Sequence, residues 1–243
     1  MKEEIRLFLE QKRLSSNSRS AYTYDLEQLL TLTQEKITET SLRIYKASLA
    51  EFKPAVQRRK LSAVNQFLYY LYDKRLLADY YHLDVPRASA PQKKEPDLLD
   101  LSIFWEDSEN RSGQLIALMI MELGLLPSEI LALKVEQIHL DFQIIRLEKA
   151  GQRRIIEIPD SLVNILKEWM TGTYLFEKSG KAYSRQWGFR QLEAFLAEKG
   201  QPTLSAQSLR EQYILRQREK GVDLPQIAKS LGLKTMVTLE KYR

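Results

Sequence analysis

The sequence of 243 residues contains no cysteine and only two histidines, His82 and His139. The absence of cysteine excludes disulfides, thiol nucleophiles and zinc sites built from thiolates. Two histidines are too few for a multi-histidine metal site. These absences remove thiol enzymes and metalloenzymes with several cysteine or histidine ligands from consideration, and we expect no metal and no other cofactor.

Long apolar runs are also missing from the sequence. The longest run near the middle, 115–121, is interrupted by Glu122, and it is far shorter than the roughly 20 residues that cross a bilayer. The N-terminus opens with Lys2, Glu3 and Glu4 and has no apolar signal core. We expect a cytoplasmic protein without a membrane partner.

The sequence does contain an excess of positive charge. Lys and Arg together number 37 against 32 Asp and Glu, which gives a formal net charge of +5. Hydrophobic residues make up 44% and charged residues 28%, as in an ordinary globular protein, and the length suffices for two modest domains. Because Lys and Arg that contact phosphates release condensed counterions, this balance favours a nucleic-acid partner without identifying one.

The first third of the sequence has apolar residues at helical spacing, which predicts a domain of four or five helices over residues 1–84. Pro54 suits the first turn of the last of these helices. The segment 85–96, VPRASAPQKKEP, holds three prolines and little that could enter a core. We interpret it as an interdomain linker. Residues 97–243 then form a second domain.

The second domain is predicted to be mostly helical with one small sheet. Residues 112–125 are apolar on most faces and indicate a buried helix. Two isoleucine-rich stretches, 143–147 and 154–158, flank a short basic segment and predict a β-hairpin. Further helices are predicted near 160–169, 185–199, 205–220, 224–231 and 237–242. The fold class is therefore mainly α, with a helical first domain and a mixed α/β second domain.

Six motifs occur in an order and spacing that resemble the Xer-type branch of the tyrosine recombinases, the phage integrase family. The first domain contributes FLEQKRLSSNSRSAYTYDL (8–26) and QRRKLSAVNQFLYYLY (57–72). The second contributes GLLPSEILAL (124–133), EKAGQRRIIEIP (148–159), LSAQSLRE (204–211) and SLGLKTMVTLEKY (230–242). The resemblance covers nearly the whole chain. It implies a SAM-like core-binding domain followed by a domain of the tyrosine-recombinase catalytic type, acting in DNA recombination or integration.

The resemblance also implies a specific chemistry. In that family a tyrosine oxygen attacks a DNA phosphodiester while two arginines neutralise the developing charge, and no metal is needed. Lys149 matches the hairpin lysine that protonates the leaving group, Arg210 matches the arginine of the HxxR pattern, and Tyr242 matches the nucleophile. These residues are the candidate catalytic set.

Three other positions depart from the family pattern. Leu126 stands where the first arginine belongs, Gln207 replaces the histidine of HxxR, and Leu233 replaces a final His or Trp. Loss of one preorganised donor typically costs about 10²–10³ in rate. We therefore expect a pseudoenzyme that cuts and rejoins DNA poorly by itself. The family's acidic residue is retained as Glu129, for which the sequence predicts no neighbouring arginine.

Binding to double-stranded DNA is expected to persist, because backbone contacts require only charges and hydrogen-bond donors in suitable places. The candidate cations lie in the helix, linker and hairpin motifs: Arg58, Arg59, Lys60, Lys93, Lys94, Arg153 and Arg154. In the alternative interpretation, residues 58–60 are simply a solvated helix face.

Two other functions remain open at this level. One is a working recombinase that forms a 3′-phosphotyrosine through Tyr242, with the missing groups supplied by an authentic tyrosine recombinase or by another protomer. The other is a protein-interaction module without DNA binding. Covalent capture on DNA and affinity for duplex DNA would distinguish the three hypotheses.

Overall fold

A computed structural model describes residues 1–86, 97–149 and 152–242, apart from the side chains of Lys149 and Gln152. The chain divides into two compact units, Met1–Lys93 and Lys94–Arg243. Most of the predicted linker, including Lys93 and Lys94, lies outside the described residues. Its bounds and the roles of these two lysines remain predictions.

The first unit contains four α-helices in its described part: α1 (Lys2–Glu10), α2 (Ser16–Thr33), α3 (Glu39–Ser48) and α4 (Pro54–Asp73). Local sequence fixes their starts. Ser15 caps α2 by accepting the Ser18 N–H, Thr38 and Ser41 form a capping box at α3, and Pro54 opens α4. Apolar faces of the four helices form one core, which includes Phe8, Leu29, Tyr45, Phe67 and Leu71.

The second unit contains six further α-helices among its described residues. They are α5 (Arg111–Leu123), α6 (Pro127–Ala132), α7 (Asp160–Lys167), α8 (Arg185–Glu198), α9 (Ala206–Glu219) and α10 (Leu224–Ser230). Helix α5 is buried on nearly every face, as its apolar sequence predicts, and it packs against α8 and α9. The predicted last helix is a 3₁₀ helix, Val237–Tyr242.

A three-stranded antiparallel sheet completes the second unit, in the order β1 (Ile138–His139), β2 (Ile144–Lys149) and β3 (Gln152–Glu157). A separate two-stranded sheet pairs β4 (Glu177–Lys178) with β5 (Lys181–Ala182). The predicted hairpin is confirmed as β2 and β3. Its register sets Leu147 opposite Arg154 and Glu148 opposite Arg153, so the two arginines lie on opposite faces of the sheet.

The prediction of a mainly α chain with a small sheet is confirmed. No helix in the described parts of the chain is long and apolar enough to cross a membrane. Within the same residues, His, Asp and Glu side chains form no group of three that could hold a metal ion.

Candidate active site and DNA interface

A cavity of about 550 Å³ lies in the second unit, where α6, the β2–β3 hairpin, α9 and the segment after α10 meet. Its lining combines apolar walls with charged groups: Leu126, Ser128, Glu129, Ala132, Leu133, Gln137, Leu147, Glu148, Arg154, Arg210, Leu231, Gly232, Leu233 and Lys234. Four of the motifs from the sequence analysis therefore converge on one concave site.

Arg210 projects from α9 into this cavity and is held by the ends of two other helices. Its Nε donates a hydrogen bond to the Gly124 carbonyl at 2.9 Å, and its Nη2 donates to the Leu231 carbonyl at 2.8 Å. Carbonyls at helix C-termini lack intrahelical partners, so an arginine there satisfies acceptors that would otherwise be orphaned. Arg210 is thus fixed in place before any ligand binds.

A second arginine, Arg154, enters the same cavity from the inner face of β3. Its Nη2 lies 2.6 Å from Glu129 Oε2, and its Nη1 donates to the Ser230 carbonyl at 2.9 Å. The side chains of Arg154 and Glu129 are only 12% and 13% exposed. The expectation that Glu129 has no neighbouring arginine is therefore wrong, because strand alternation turns Arg154 towards it.

Leu126 occupies the N-cap position of α6. Its backbone N–H donates to Glu129 Oε2 at 2.9 Å, so the same carboxylate oxygen binds the helix start and Arg154. The Leu126 side chain lines the cavity but has no donor to offer a phosphate. At this position the site has an apolar wall where the family pattern would place a cation.

The electrostatics of the cavity follow from the closeness of two guanidinium groups. Burial lowers the pKa of Arg210, the negative charge of Glu129 raises it, and the positive charge of Arg154 lowers it again. Arginine stays protonated in proteins despite such shifts. Among the described residues of this cluster, two positive charges therefore meet one carboxylate, and the arrangement can hold an anion.

Tyr242 is not among the described residues that line the cavity. It is 7% exposed and packs in a small cluster with Tyr213, Leu231 and Leu239. Burial raises the pKa of the Tyr242 hydroxyl, and the hydrogen bond with Lys241 only partly offsets that effect. The retained tyrosine is therefore a buried phenol at neutral pH, apart from Arg210.

The remaining family positions have mixed placements. Leu233 lines the cavity, whereas Gln207 is exposed in the first turn of α9. The backbone of Lys149 ends β2 and pairs with Gln152, and its side chain lies outside the described part of the structure. Of the described candidate catalytic side chains, Arg210 reaches the cavity and Tyr242 does not.

The candidate DNA-contacting arginine on the outer face of the hairpin is open to solvent. Arg153 is 83% exposed, and its Nε lies 3.1 Å from Glu148 Oε2. Exposed ion pairs of this kind contribute only about 0–1 kcal/mol. Arg153 can therefore exchange this partner for a phosphate at little cost.

The prediction for Lys60 is corrected by its burial. Lys60 is 2% exposed, and its Nζ donates to Asp25 Oδ1 at 2.9 Å and to Gln28 Oε1 at 2.6 Å. Arg59 pairs with the other oxygen of Asp25. Helical spacing places Lys60 on the buried side of α4 with Val64, and this spacing could have revealed the burial from sequence.

Arg58 differs from its two neighbours. It is half-buried and has no ion-pair partner among the described residues. Arg58 and Arg59 therefore remain the candidate DNA-contacting cations of this helix. The Arg59 side chain is 40% exposed while it pairs with Asp25.

Comparison with known sequences places this site in a family. The sequence profile of the phage integrase family matches residues 95–243, which includes every residue that lines the cavity. The chain belongs to the phage integrase family. A tyrosine recombinase XerD-like protein of Streptococcus sanguinis is 62% identical over 243 residues, which are 100% of both chains. Its counterpart in Streptococcus gordonii is 58% identical over the same full length.

Solved structures of tyrosine recombinases share the fold. XerH site-specific recombinase bound to difH substrate, in a pre-cleavage complex, has a TM-score of 0.73 at 16% identity and covers 100% of this chain and 81% of its own. A lambda integrase dimer bound to a COC′ core site has a TM-score of 0.71 at 16% identity and covers 100% of this chain and 95% of its own. The predicted family and fold are confirmed.

Proposed function

We propose that this XerD-like tyrosine recombinase homologue binds duplex DNA but cuts and rejoins it poorly by itself. The composition of the cavity carries this proposal. Arg154 and Arg210 can hold a phosphate, whereas Leu126 and Leu233 replace groups that would act on it. No histidine is among the described lining residues, so the described lining offers no imidazole to exchange protons near neutral pH.

Duplex DNA is the proposed partner for three reasons. The net charge is +5, proteins of the same fold were solved with DNA bound, and an exposed cation remains on the hairpin and partly exposed ones on α4. We assign residues 1–84 to a core-binding domain, 85–96 to a linker and 97–243 to a catalytic-type domain. The proposed DNA contacts are Arg58, Arg59, Lys93, Lys94, Arg153 and Arg154.

Lys149, Arg210 and Tyr242 are proposed as the retained part of an ancestral catalytic set. The surroundings of Tyr242 support low activity, because a phenol with a raised pKa is a weak nucleophile without a base. Glu211 lies close to Tyr242, but Lys241 and neighbouring hydrogen bonds hold the pKa of Glu211 below its usual value despite burial. A carboxylate of that kind is a poor general base at neutral pH.

The test combines DNA binding with covalent capture. The full chain is incubated with random-sequence duplex DNA and with nicked suicide duplexes, and free, shifted and covalently bound DNA are separated on native and denaturing gels. We expect a shift that weakens as salt rises and no covalent product. Leu126→Arg and Tyr242→Phe are run beside the wild type. A covalent adduct that disappears in Tyr242→Phe would contradict the proposal.

A matched pair of arginines checks the DNA-binding part. Arg153 and Arg111 are both exposed and both pair with a glutamate, but only Arg153 is proposed to contact DNA. Arg153→Ala should lower the slope of log affinity against log salt by about 1, while Arg111→Ala should leave it unchanged. Equal slopes in the two variants would remove Arg153 from the interface.

Mixing experiments distinguish the alternatives. Cleavage through Tyr242 that arises only after addition of an authentic tyrosine recombinase would favour a working enzyme completed by a partner. No measurable affinity for duplex DNA at low salt would favour a protein-interaction module instead.

A further inference from the structure

The cavity contains a second guanidinium group although position 126 does not provide one. Arg154 reaches it from strand β3, on the side opposite to Arg153, and lines the same cavity as Arg210. Glu129 orients Arg154 at 2.6 Å, and the Ser230 carbonyl fixes the other terminal nitrogen at 2.9 Å. A different element of the fold thus delivers the cation.

We propose that Arg154 and Arg210 form a two-arginine site that binds one phosphate group, with Arg154 taking the role left open by Leu126. This inference rests on the proposed function, since the phosphate would be that of a DNA backbone. It deepens that function by assigning to Arg154 the role of the cation missing at position 126 and by making Glu129 a competitor of the phosphate.

Both guanidinium groups keep donors for a ligand. A guanidinium has five N–H donors. The described hydrogen bonds use Nε and Nη2 of Arg210 and Nη1 of Arg154. Nη2 of Arg154 is buried beside Glu129 Oε2 and makes no hydrogen bond to a described group, and no described protein group accepts from Nη1 of Arg210. Both side chains line the 550 Å³ cavity, where a phosphate is proposed to accept from the remaining donors.

Charge balance favours the same ligand. Glu129 compensates one of the two partly buried positive charges. Glu148, which also lines the cavity, pairs with Arg153, and Lys234 adds a further positive charge to the lining. Leu126, Leu147 and Leu233 supply apolar walls. Such walls reduce screening by water and strengthen the attraction between an anion and the arginines.

A purely structural role for Arg154 makes a different prediction. In that case Arg154 only connects β3 to α6 through Glu129 and to the end of α10 through the Ser230 carbonyl. Removing the Glu129 charge then weakens the contact with α6 and gives no gain in anion binding. In a phosphate site, Glu129 competes with the ligand for the same cation. Neutralising Glu129 then increases affinity for phosphate.

The test measures binding of inorganic phosphate to the full chain by calorimetry in low-salt buffer. We expect Glu129→Gln to bind phosphate about 10-fold more tightly than the wild type. This gain is a modest part of the repulsion energy between a nearby carboxylate and a bound anion. Arg154→Met should weaken binding at least about 10-fold, as expected for loss of a charge-assisted hydrogen-bond donor. Arg111→Met removes an exposed arginine that pairs with Glu168 and does not line the cavity; it is the matched control and should change affinity less than about twofold, because exposed charges are strongly screened.

Folding of every variant is checked by thermal unfolding. Because Arg154→Met leaves a partly buried carboxylate unpaired, the double variant Glu129→Gln with Arg154→Met removes both partners together. It should be folded and bind phosphate no better than Arg154→Met. Failure of the wild type to bind phosphate, no gain in Glu129→Gln, or wild-type affinity in the double variant would each overturn the proposal.

Duplex DNA binding is measured in parallel so that the two proposals fail separately. A chain that binds phosphate with the expected variant pattern but has no affinity for duplex DNA would overturn the proposed function and leave the two-arginine site standing. Duplex DNA binding that is identical in wild type and double variant, with no phosphate binding, would overturn the two-arginine site alone.

Discussion

Glu129 carries the negative charge that faces Arg154 in the cavity. It accepts from the Leu126 backbone and pairs with Arg154 through the same oxygen. At the scale of single residues, the described part of the site therefore holds oriented cations and no histidine. This composition is the basis of the proposal that the site binds a phosphate more readily than it activates a nucleophile.

The titration of Tyr242 tests that conclusion. Burial raises the pKa of its hydroxyl above the ordinary value of 10.0. The neutral phenol is thus favoured in the folded chain, and this contribution to stability is present below pH 10 and is lost as pH rises through the folded pKa. Carbon-13 NMR of labelled tyrosine, with Tyr242→Phe for assignment, should show a midpoint above 10. A midpoint below 10 would indicate a stabilised phenolate and favour a working nucleophile.

Individual residues were predictable where periodicity applies. Alternation along β3 sets Arg154 on the side of the buried Ile156, and helical spacing sets Lys60 beside the buried Val64. The pairings themselves were not predictable. Glu129 and Arg154 are far apart in sequence, as are Asp25 and Lys60, and tertiary packing brings each pair together.

At the scale of elements, helix ends rather than helix faces build the cavity. Helix α5 is followed by Gly124, and α10 is followed by Leu231 and Gly232; both glycines have φ of +65°. These glycines end the helices, and the Gly124, Ser230 and Leu231 carbonyls accept hydrogen bonds from Arg154 or Arg210. At Gly232 a Cβ would lie 2.7 Å from Arg154 Nη1, so the absence of a side chain at this position also leaves room for the Arg154 guanidinium.

Two glycine variants separate these effects. Gly232→Ala and Gly221→Ala both force alanine into a left-handed conformation, with φ of +65° and +80°, at a cost of about 1–2 kcal/mol. A Cβ at Gly221 meets no atom within 4 Å. We expect Gly232→Ala to lower the free energy of unfolding by roughly a further 1 kcal/mol, because Arg154 must give up a contact. If urea denaturation shows the same loss of unfolding free energy for Gly232→Ala and Gly221→Ala, Arg154 accommodates the added Cβ without cost.

Elements were predictable from the sequence in proportion to their length. The main helices and the β2–β3 hairpin follow from repeated apolar spacing. Strands β1, β4 and β5 have two residues each, which is too short to show alternation. Their backbone pairing depends on tertiary contacts that a local pattern does not contain.

At the scale of the whole molecule, the described residues form separate apolar cores in the two compact units. The core of the first unit encloses a polar cluster, in which Asp25 is fully buried and pairs with Lys60 and Arg59. A buried cation that loses its partner destabilises a protein by about 3–5 kcal/mol. The stability of the first unit therefore depends on one carboxylate.

Calorimetric unfolding of the full chain should show two transitions. Asp25→Ala should lower the midpoint of one transition by more than about 10 °C, since each kcal/mol is worth about 4–8 °C in a domain of this size, and should leave the other in place. Gly232→Ala should affect only the second transition. A single transition that both variants shift together would contradict independent units and weaken the predicted linker at 85–96.

Arg154 and Arg210 also bind the polypeptide segment that leads to Tyr242. Arg154 binds the Ser230 carbonyl and Arg210 binds the Leu231 carbonyl, just before the turn that leads to the 3₁₀ helix Val237–Tyr242. Each guanidinium uses only part of its five donors on these carbonyls. The side chains that line the cavity therefore also anchor the segment that ends at Tyr242.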